Sequence, residues 1–90
     1  MTKAEIIDGL LNPGVIAIIR ADSSEQLIDA TRALMDGGIR AVEVTMTTPN
    51  ALEVIRDVSQ KFGDKILVGV GTVLNEAAAR EAVKAGAQFV

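Results

Sequence analysis

The chain has 90 residues, of which 49% are apolar and 23% are charged, and its formal net charge is −3. This size fits one small domain with an aliphatic core, while scattered charges and only 2% aromatic residues argue against nucleic-acid binding. Cysteine and histidine are absent, which excludes disulfides, thiol chemistry, Cys/His zinc sites and histidine-based triads.

The first predicted element is a short helix at the N-terminus. Thr2 and Glu5 have the spacing of a capping box, in which the two residues satisfy each other's backbone N–H groups. Charged residues interrupt this stretch, and no apolar run approaches the roughly 20 residues that span a bilayer. We therefore expect no signal peptide, no membrane partner and, given the lack of cysteine, a cytoplasmic protein.

Four apolar runs that start about 25 residues apart predict β-strands, because this is the length of one strand-plus-helix unit. Near-continuous apolar strands indicate burial on both faces, as in a parallel sheet. The predicted strands cover residues 15–19, 41–45, 66–70 and 87–90.

An amphipathic stretch follows each of the first three strands, with a capping residue in front of it and a glycine behind it. Asp22 or Ser23 is predicted to cap the second helix and Asn75 the fourth. Thr48 followed by Pro49 predicts the start of the third helix. The predicted apolar faces are Leu27, Ile28, Thr31, Leu34 and Met35 in the second helix, Leu52, Ile55, Val58 and Phe62 in the third, and Ala78, Ala82, Val83 and Ala85 in the fourth.

This repeat predicts an α/β fold with right-handed crossovers and one parallel sheet. Two closures fit the pattern, a (β/α)8 barrel of the TIM type and a flat doubly wound sheet. A full barrel takes about 250 residues, whereas this chain supplies three βα units and the start of a fourth strand, preceded by a short helix. Because it ends at Val90 inside an apolar run, we expect residues 1–90 to be the N-terminal portion, about half, of a single barrel.

Candidate reactive residues are those at the carboxyl ends of the strands, where parallel βα folds gather their active sites. Glu43 interrupts an apolar strand, and strand alternation places it on the face opposite to Val42 and Val44. An inward-facing carboxylate suits a general acid or base. The alternative is a structural ion pair with Arg20 or Arg40.

Three more candidates follow the strands. Arg20 ends the first strand and suits a carboxylate or phosphate, unless it is solvated and paired to Asp22. Glycines at 69 and 71 let the backbone approach a ligand closely, and Thr72 then offers its hydroxyl. Thr47, after the second strand, is the last candidate for a ligand contact.

Taken together, these segments resemble the 2-keto-3-deoxy-6-phosphogluconate (KDPG) aldolases, which also act as 4-hydroxy-2-oxoglutarate aldolases. The resemblance implies a class I aldolase of carbohydrate metabolism on a (β/α)8 barrel, assembled as a homotrimer. Such an enzyme cleaves its phosphorylated keto-acid substrate to pyruvate and glyceraldehyde 3-phosphate through a lysine Schiff base, without a metal or other cofactor. The resemblance rests on residues 15–21, 37–39, 42–45, 68–73 and 85–89.

The resemblance also implies roles for the candidates. Glu43 matches the family's general acid/base, Thr72 the threonine that contacts the pyruvate portion, and Arg20 an arginine suited to the substrate carboxylate. Some members have an arginine where Thr47 stands here.

The Schiff-base lysine has no match in this chain. In the family it lies on a later strand, in a segment like Lys-Phe-Phe-Pro or Lys-Leu-Phe-Pro, whereas Lys3, Lys61, Lys65 and Lys84 lie on predicted helices or at the opposite rim. We therefore expect residues 1–90 to be inactive alone. Two other hypotheses stay open: a non-catalytic half-barrel that self-associates, and another barrel that binds phosphorylated metabolites.

Overall fold

Three parallel strands, paired in chain order, form one sheet in the computed structural model of residues 1–90. The predicted α/β fold is confirmed, with a helix after each strand and one helix before the first. In chain order the elements are α1 (Lys3–Leu11), β1 (Ile16–Ile19), α2 (Ser24–Asp36), β2 (Ala41–Thr45), α3 (Ala51–Phe62), a 3-10 turn (Gly63–Lys65), β3 (Leu67–Gly71) and α4 (Glu76–Ala85).

The chain after α4 returns to the sheet beside β3. Phe89 forms a parallel bridge with Gly69, and the Val70 N–H donates to the Phe89 carbonyl over 3.0 Å. The Val68 N–H donates to the side-chain oxygen of Gln88 over 3.1 Å. The predicted fourth strand at residues 87–90 is present only as this single bridge. One bridged pair of residues is too short to count as a strand.

The two faces of the sheet differ in what covers them. Val42, Val44, Val68 and Val70 are almost fully buried on the face that packs under the helices. The opposite face, here called the inner face, carries Ile16, Ile18, Glu43 and Gly69, because side chains alternate along each strand. Helix α1 packs on this face at the amino-terminal end, where Gly9 contacts Leu67. The helix-packed core also contains Leu27, Ile55, Val58, Phe62 and Ile66.

Three of the four predicted helix starts are confirmed. The Glu5 N–H donates to Thr2 Oγ1 over 3.1 Å and the Thr2 N–H donates to Glu5 Oε1 over 3.2 Å, which completes the capping box. Ser23 rather than Asp22 caps α2, accepting from the Gln26 N–H, and Asn75 caps α4.

The predicted start of the third helix at Thr48 and Pro49 is wrong. Asn50 is the capping residue, in the left-handed region at φ 56° and without a side-chain cap, so α3 begins at Ala51. The cause is local: the Thr48 N–H donates to the Thr45 carbonyl over 3.0 Å, and the Thr48 hydroxyl turns back to β2 instead of capping the helix.

Smaller corrections concern burial and strand limits. Val83, predicted on the apolar face of α4, is 56% exposed, whereas Ala82 and Ala85 are buried as predicted. The first strand begins one residue later than predicted, and the third is displaced by one residue toward its carboxyl end. No helix combines the length and the apolar character needed to cross a membrane.

Candidate active site

Glu43 lies on the inner face, opposite to Val42 and Val44, and is half-buried. Its Cα partner across the sheet is Gly69, but its side chain leans toward the carboxyl end of β3. A Cβ atom at Gly71 would overlap Oε1 of Glu43, so the carboxylate occupies space that exists because residue 71 is glycine. The acid group therefore reaches the rim at which the strands end.

The Glu43 carboxylate has no ionic or hydrogen-bonding partner within the chain. The two ion pairs of the molecule join Arg32 to Asp29 and Arg80 to Glu76, both on helix surfaces. The structural alternative for Glu43, an ion pair with an arginine, therefore does not form. An unpaired carboxylate on the inner face is available to a ligand that binds there.

Thr72 follows Gly71 at the same rim and is exposed. Its backbone lies in the left-handed region at φ 58°, a conformation that is a genuine outlier for a β-branched residue. Backbone strain of this kind persists when the surroundings over-determine it, and it concentrates at ligand-binding sites. The strained conformation sets where the Thr72 hydroxyl projects from the end of β3.

Arg20 and Thr47 line one shallow depression of about 340 Å³ at the rim, together with Ala21, Asp22, Thr48 and Pro49. Arg20 is exposed and forms no ion pair with Asp22. The structure thus brings Arg20 and Thr47 together, while Glu43 and Thr72 lie outside this depression, beside the end of β3. The catalytic and binding roles of all four residues stay predictions.

Two features of the site were not predicted from the sequence. The ring of Phe89 fills the space above Gly69 on the inner face. Gly69 is the partner of Glu43 across the sheet, so the ring lies beside the position of Glu43. Thr45, at the end of β2, contacts the hydroxyls of both Thr47 and Thr48. A glycine in an apolar strand is the one signal for the first feature, and the Thr-x-Thr-Thr run is the signal for the second.

The lysines lie away from this rim. Lys3 is in α1, Lys61 and Lys84 are in the last turns of α3 and α4, and Lys65 is in the turn that enters β3 from the opposite end. No group of three or more acidic residues is arranged to hold a metal ion.

A family model described as KDPG and KHG aldolase matches residues 6–90. Among curated proteins, the chain is 41% identical over 85 residues to the 2-dehydro-3-deoxy-phosphogluconate aldolase of Treponema pallidum, covering 94% of this chain and 40% of the relative. It is 39% identical over 88 residues to the KHG/KDPG aldolase of Escherichia coli K12, covering 98% and 40%. The chain therefore spans about 40% of the length of these curated relatives.

Solved structures give the same relationship. The KDPG aldolase from Legionella pneumophila, with pyruvate captured as a covalent carbinolamine intermediate, superposes with a TM-score of 0.76 at 35% identity, covering 82% of this chain and 35% of that one. The aldolase from Zymomonas mobilis ATCC 29191 gives a TM-score of 0.73 at 32% identity, with coverages of 82% and 35%. These neighbours confirm the predicted fold class, an α/β fold of the TIM-barrel type.

Proposed function

The chain belongs to the KDPG and KHG aldolase family, and on that premise we propose that residues 1–90 are the N-terminal portion, about half, of a single (β/α)8 aldolase barrel. The whole protein cleaves 2-keto-3-deoxy-6-phosphogluconate to pyruvate and glyceraldehyde 3-phosphate. The observation that carries this proposal is the unpaired Glu43 carboxylate, which lies on the inner face and reaches the rim over Gly71. The names of the relatives support the reaction class.

Within this proposal, each rim residue has one task. Glu43 moves protons at the bound keto acid as general acid and base. Arg20 and Thr47 hold the substrate carboxylate, the first through charge-assisted hydrogen bonds and the second through its hydroxyl. Thr72 contacts the pyruvate portion. A lysine from the remainder of the barrel supplies the Schiff base, so residues 1–90 alone form no covalent adduct.

A chimera tests the proposal, with this chain in place of the matching 88-residue segment of the Escherichia coli enzyme. We expect the chimera to cleave the substrate and, under borohydride, to trap pyruvate covalently, whereas the 90-residue chain does not. Glu43→Gln should lower kcat by about 10²–10⁴-fold, the usual contribution of a positioned acid or base. The matched control is Glu81→Gln, at an exposed position of α4, which should leave kcat unchanged.

The opposite results are equally informative. Full activity of the Glu43→Gln chimera would remove the acid/base role. A folded chimera that traps no pyruvate would favour another barrel that binds phosphorylated metabolites.

The proposal extends to assembly and location. Homotrimer formation follows the family, and a light-scattering mass of three chains for the chimera is the expected result. We place the protein in the cytoplasm, which is consistent with the absence of cysteine.

A second candidate function is a non-catalytic half-barrel that self-associates. The observation that favours it is the inner face, where Ile16 is 41% and Ile18 is 62% exposed, beside a β1 edge with no partner strand in the chain. Light scattering of the 90-residue chain at micromolar concentration tests this candidate: a compact, folded monomer would argue against the assembly module.

A further inference from the structure

Three threonine hydroxyls are connected at the carboxyl end of β2. Thr45 Oγ1 lies 2.9 Å from Thr47 Oγ1 and 3.4 Å from Thr48 Oγ1, so Thr45 is the shared member of both contacts. Thr45 is 4% and Thr48 is 8% exposed, whereas Thr47 is exposed at the rim. We call these three residues the hydroxyl chain.

Burial gives the hydroxyl chain a direction. Each hydroxyl has one proton to donate and can accept two, and a buried proton without an acceptor costs free energy. The Thr48 hydroxyl contacts no side chain other than Thr45, and the 3.4 Å distance allows either oxygen to donate. We assign the donated proton to Thr48, because this buried hydroxyl has Thr45 as its one side-chain acceptor. The 2.9 Å contact between Thr45 and Thr47 also allows either direction. With Thr48 as donor to Thr45, Thr45 donates its own proton to Thr47, and the Thr47 proton is left available to a ligand.

Thr47 lines the same depression as Arg20. Asp22 borders the same depression, so one positive and one negative side chain nearly cancel there. Net charge alone therefore selects an anion weakly at this place. A hydroxyl held with its proton outward adds a directional donor, and donation along a chain of hydroxyls strengthens the last hydrogen bond.

We propose that Thr45 is a positioning residue that holds the Thr47 hydroxyl as an outward donor to a carboxylate bound at Arg20. This rests on the proposed function, since it deepens the role given there to Arg20 and Thr47. Thr45 itself does not touch the substrate. It fixes the rotamer and the proton direction of a residue that does, from a buried position at the end of β2.

The first test reads the Thr47 rotamer in the 90-residue chain without any ligand. Thr45→Val keeps the shape of residue 45 and removes its hydroxyl, while Thr45→Ser keeps the hydroxyl. Three-bond couplings to the Thr47 methyl carbon should report one χ1 rotamer in the natural chain and in Thr45→Ser, and averaging in Thr45→Val. A single, unchanged Thr47 rotamer in Thr45→Val would overturn the proposal.

The second test titrates pyruvate into the chimera, which contains the rest of the barrel, and follows the Thr47 amide by NMR. We expect Thr45→Val to raise the dissociation constant about 2- to 10-fold, the loss of one ordinary hydrogen bond, and Thr45→Ser to stay within about twofold. An unchanged constant in Thr45→Val, with the rotamer averaged, would also overturn the positioning role.

Failure of the proposed function looks different. In the chimera, Arg20→Gln should abolish the pyruvate response, so a chimera that does not respond, or an Arg20→Gln chimera that responds equally, refutes the substrate assignment. The rotamer measurement is made without pyruvate and still decides whether Thr45 orients Thr47.

Discussion

The position of the Glu43 carboxylate depends on the absence of a Cβ atom at Gly71. Glu43 is the only charged residue in the three strands, and its carboxylate extends over Gly71 toward the rim. A glycine there does more than permit a turn, because any side chain would occupy the place of the carboxylate oxygen. Position 71 therefore sets where the acid group lies.

Gly71→Ala should accordingly impair catalysis far more than stability. The new methyl group displaces the end of a flexible side chain, so we expect the free energy of unfolding to change by less than about 1 kcal/mol. In the chimera kcat should fall by about 100-fold, because an acid moved by about 1 Å loses its alignment. Denaturant unfolding and steady-state kinetics measure the two effects.

Gly37→Ala is the matched control. A Cβ atom there meets the Leu34 carbonyl oxygen at 3.5 Å, an ordinary contact, and lies far from the rim in sequence and fold. Equal kcat values for the two alanine variants would show that Gly71 does not place Glu43.

Thr31 carries a buried hydroxyl oxygen that makes no hydrogen bond within the fold. Thr31 is fully buried in α2, and its hydroxyl has no hydrogen-bond partner. Thr31→Val replaces that hydroxyl with a methyl group of similar size, so we expect the free energy of unfolding to rise by about 1 kcal/mol. Thr31→Ser, which keeps the hydroxyl and loses the methyl group, should instead be less stable than the natural chain. A drop in stability for Thr31→Val in urea unfolding would indicate that the hydroxyl is satisfied.

At the scale of elements, caps that are local in sequence were predictable, and the cap that depends on a neighbouring strand was not. Thr2, Ser23 and Asn75 each accept from an N–H three residues ahead, a geometry that needs nothing beyond the helix itself. Thr48, followed by Pro49, has the same local sequence pattern of a helix-capping residue. Its hydroxyl goes to Thr45 instead, because the turn after β2 brings it back to the strand end.

The capping box of α1 makes a testable statement about pH. The hydrogen bond from the Thr2 backbone N–H, and to a smaller extent the contact with the Thr2 hydroxyl, hold the pKa of the Glu5 carboxyl below its ordinary value of 4.5. A lowered folded-state pKa stabilises the helix start above the unfolded value, and this contribution disappears as the pH falls through the folded value. The loss therefore belongs to acidic solution and not to the neutral range.

Thr2→Ala removes the hydroxyl and keeps the backbone N–H. We expect the Glu5 pKa to rise part of the way toward 4.5, as followed by the side-chain carboxyl carbon in an NMR titration. Thr2→Ser, which keeps the reciprocal hydroxyl contact, should retain the lowered pKa. A Glu5 pKa that does not respond to Thr2→Ala would mean that the backbone contact alone accounts for the shift.

At the scale of the whole molecule, the order of strands and helices could be predicted from the sequence, because every unit buries apolar side chains against the helices. Val42, Val44, Val68 and Val70 follow the two-residue period of a strand, and that period also placed Glu43 on the other face. The sequence did not predict that Arg20 and Thr47 line the same depression. This arrangement depends on how two loops from different strands meet, which no local pattern in a single sequence encodes.

The inner face has a consequence for the chain in solution. Ile18 is 62% exposed on that face, and it lies in β1, which is an edge strand. Apolar surface next to an unpaired edge favours association with another sheet, since contact buries the side chains and pairs the free N–H and C=O groups. We expect the 90-residue chain to self-associate at micromolar concentration.

Ile18→Lys should weaken that association without unfolding the chain, because the side chain already faces solvent and its charge opposes burial against a second copy. Sedimentation and light scattering would show a shift toward monomer, and circular dichroism would show unchanged helix content. Gln60→Lys, at an exposed position of α3, adds the same charge away from the inner face and should leave the association as it was. If both lysine variants dissociate equally, a general effect of the added charge and not the inner face controls assembly, because only one of the two substitutions lies where the sheet is open.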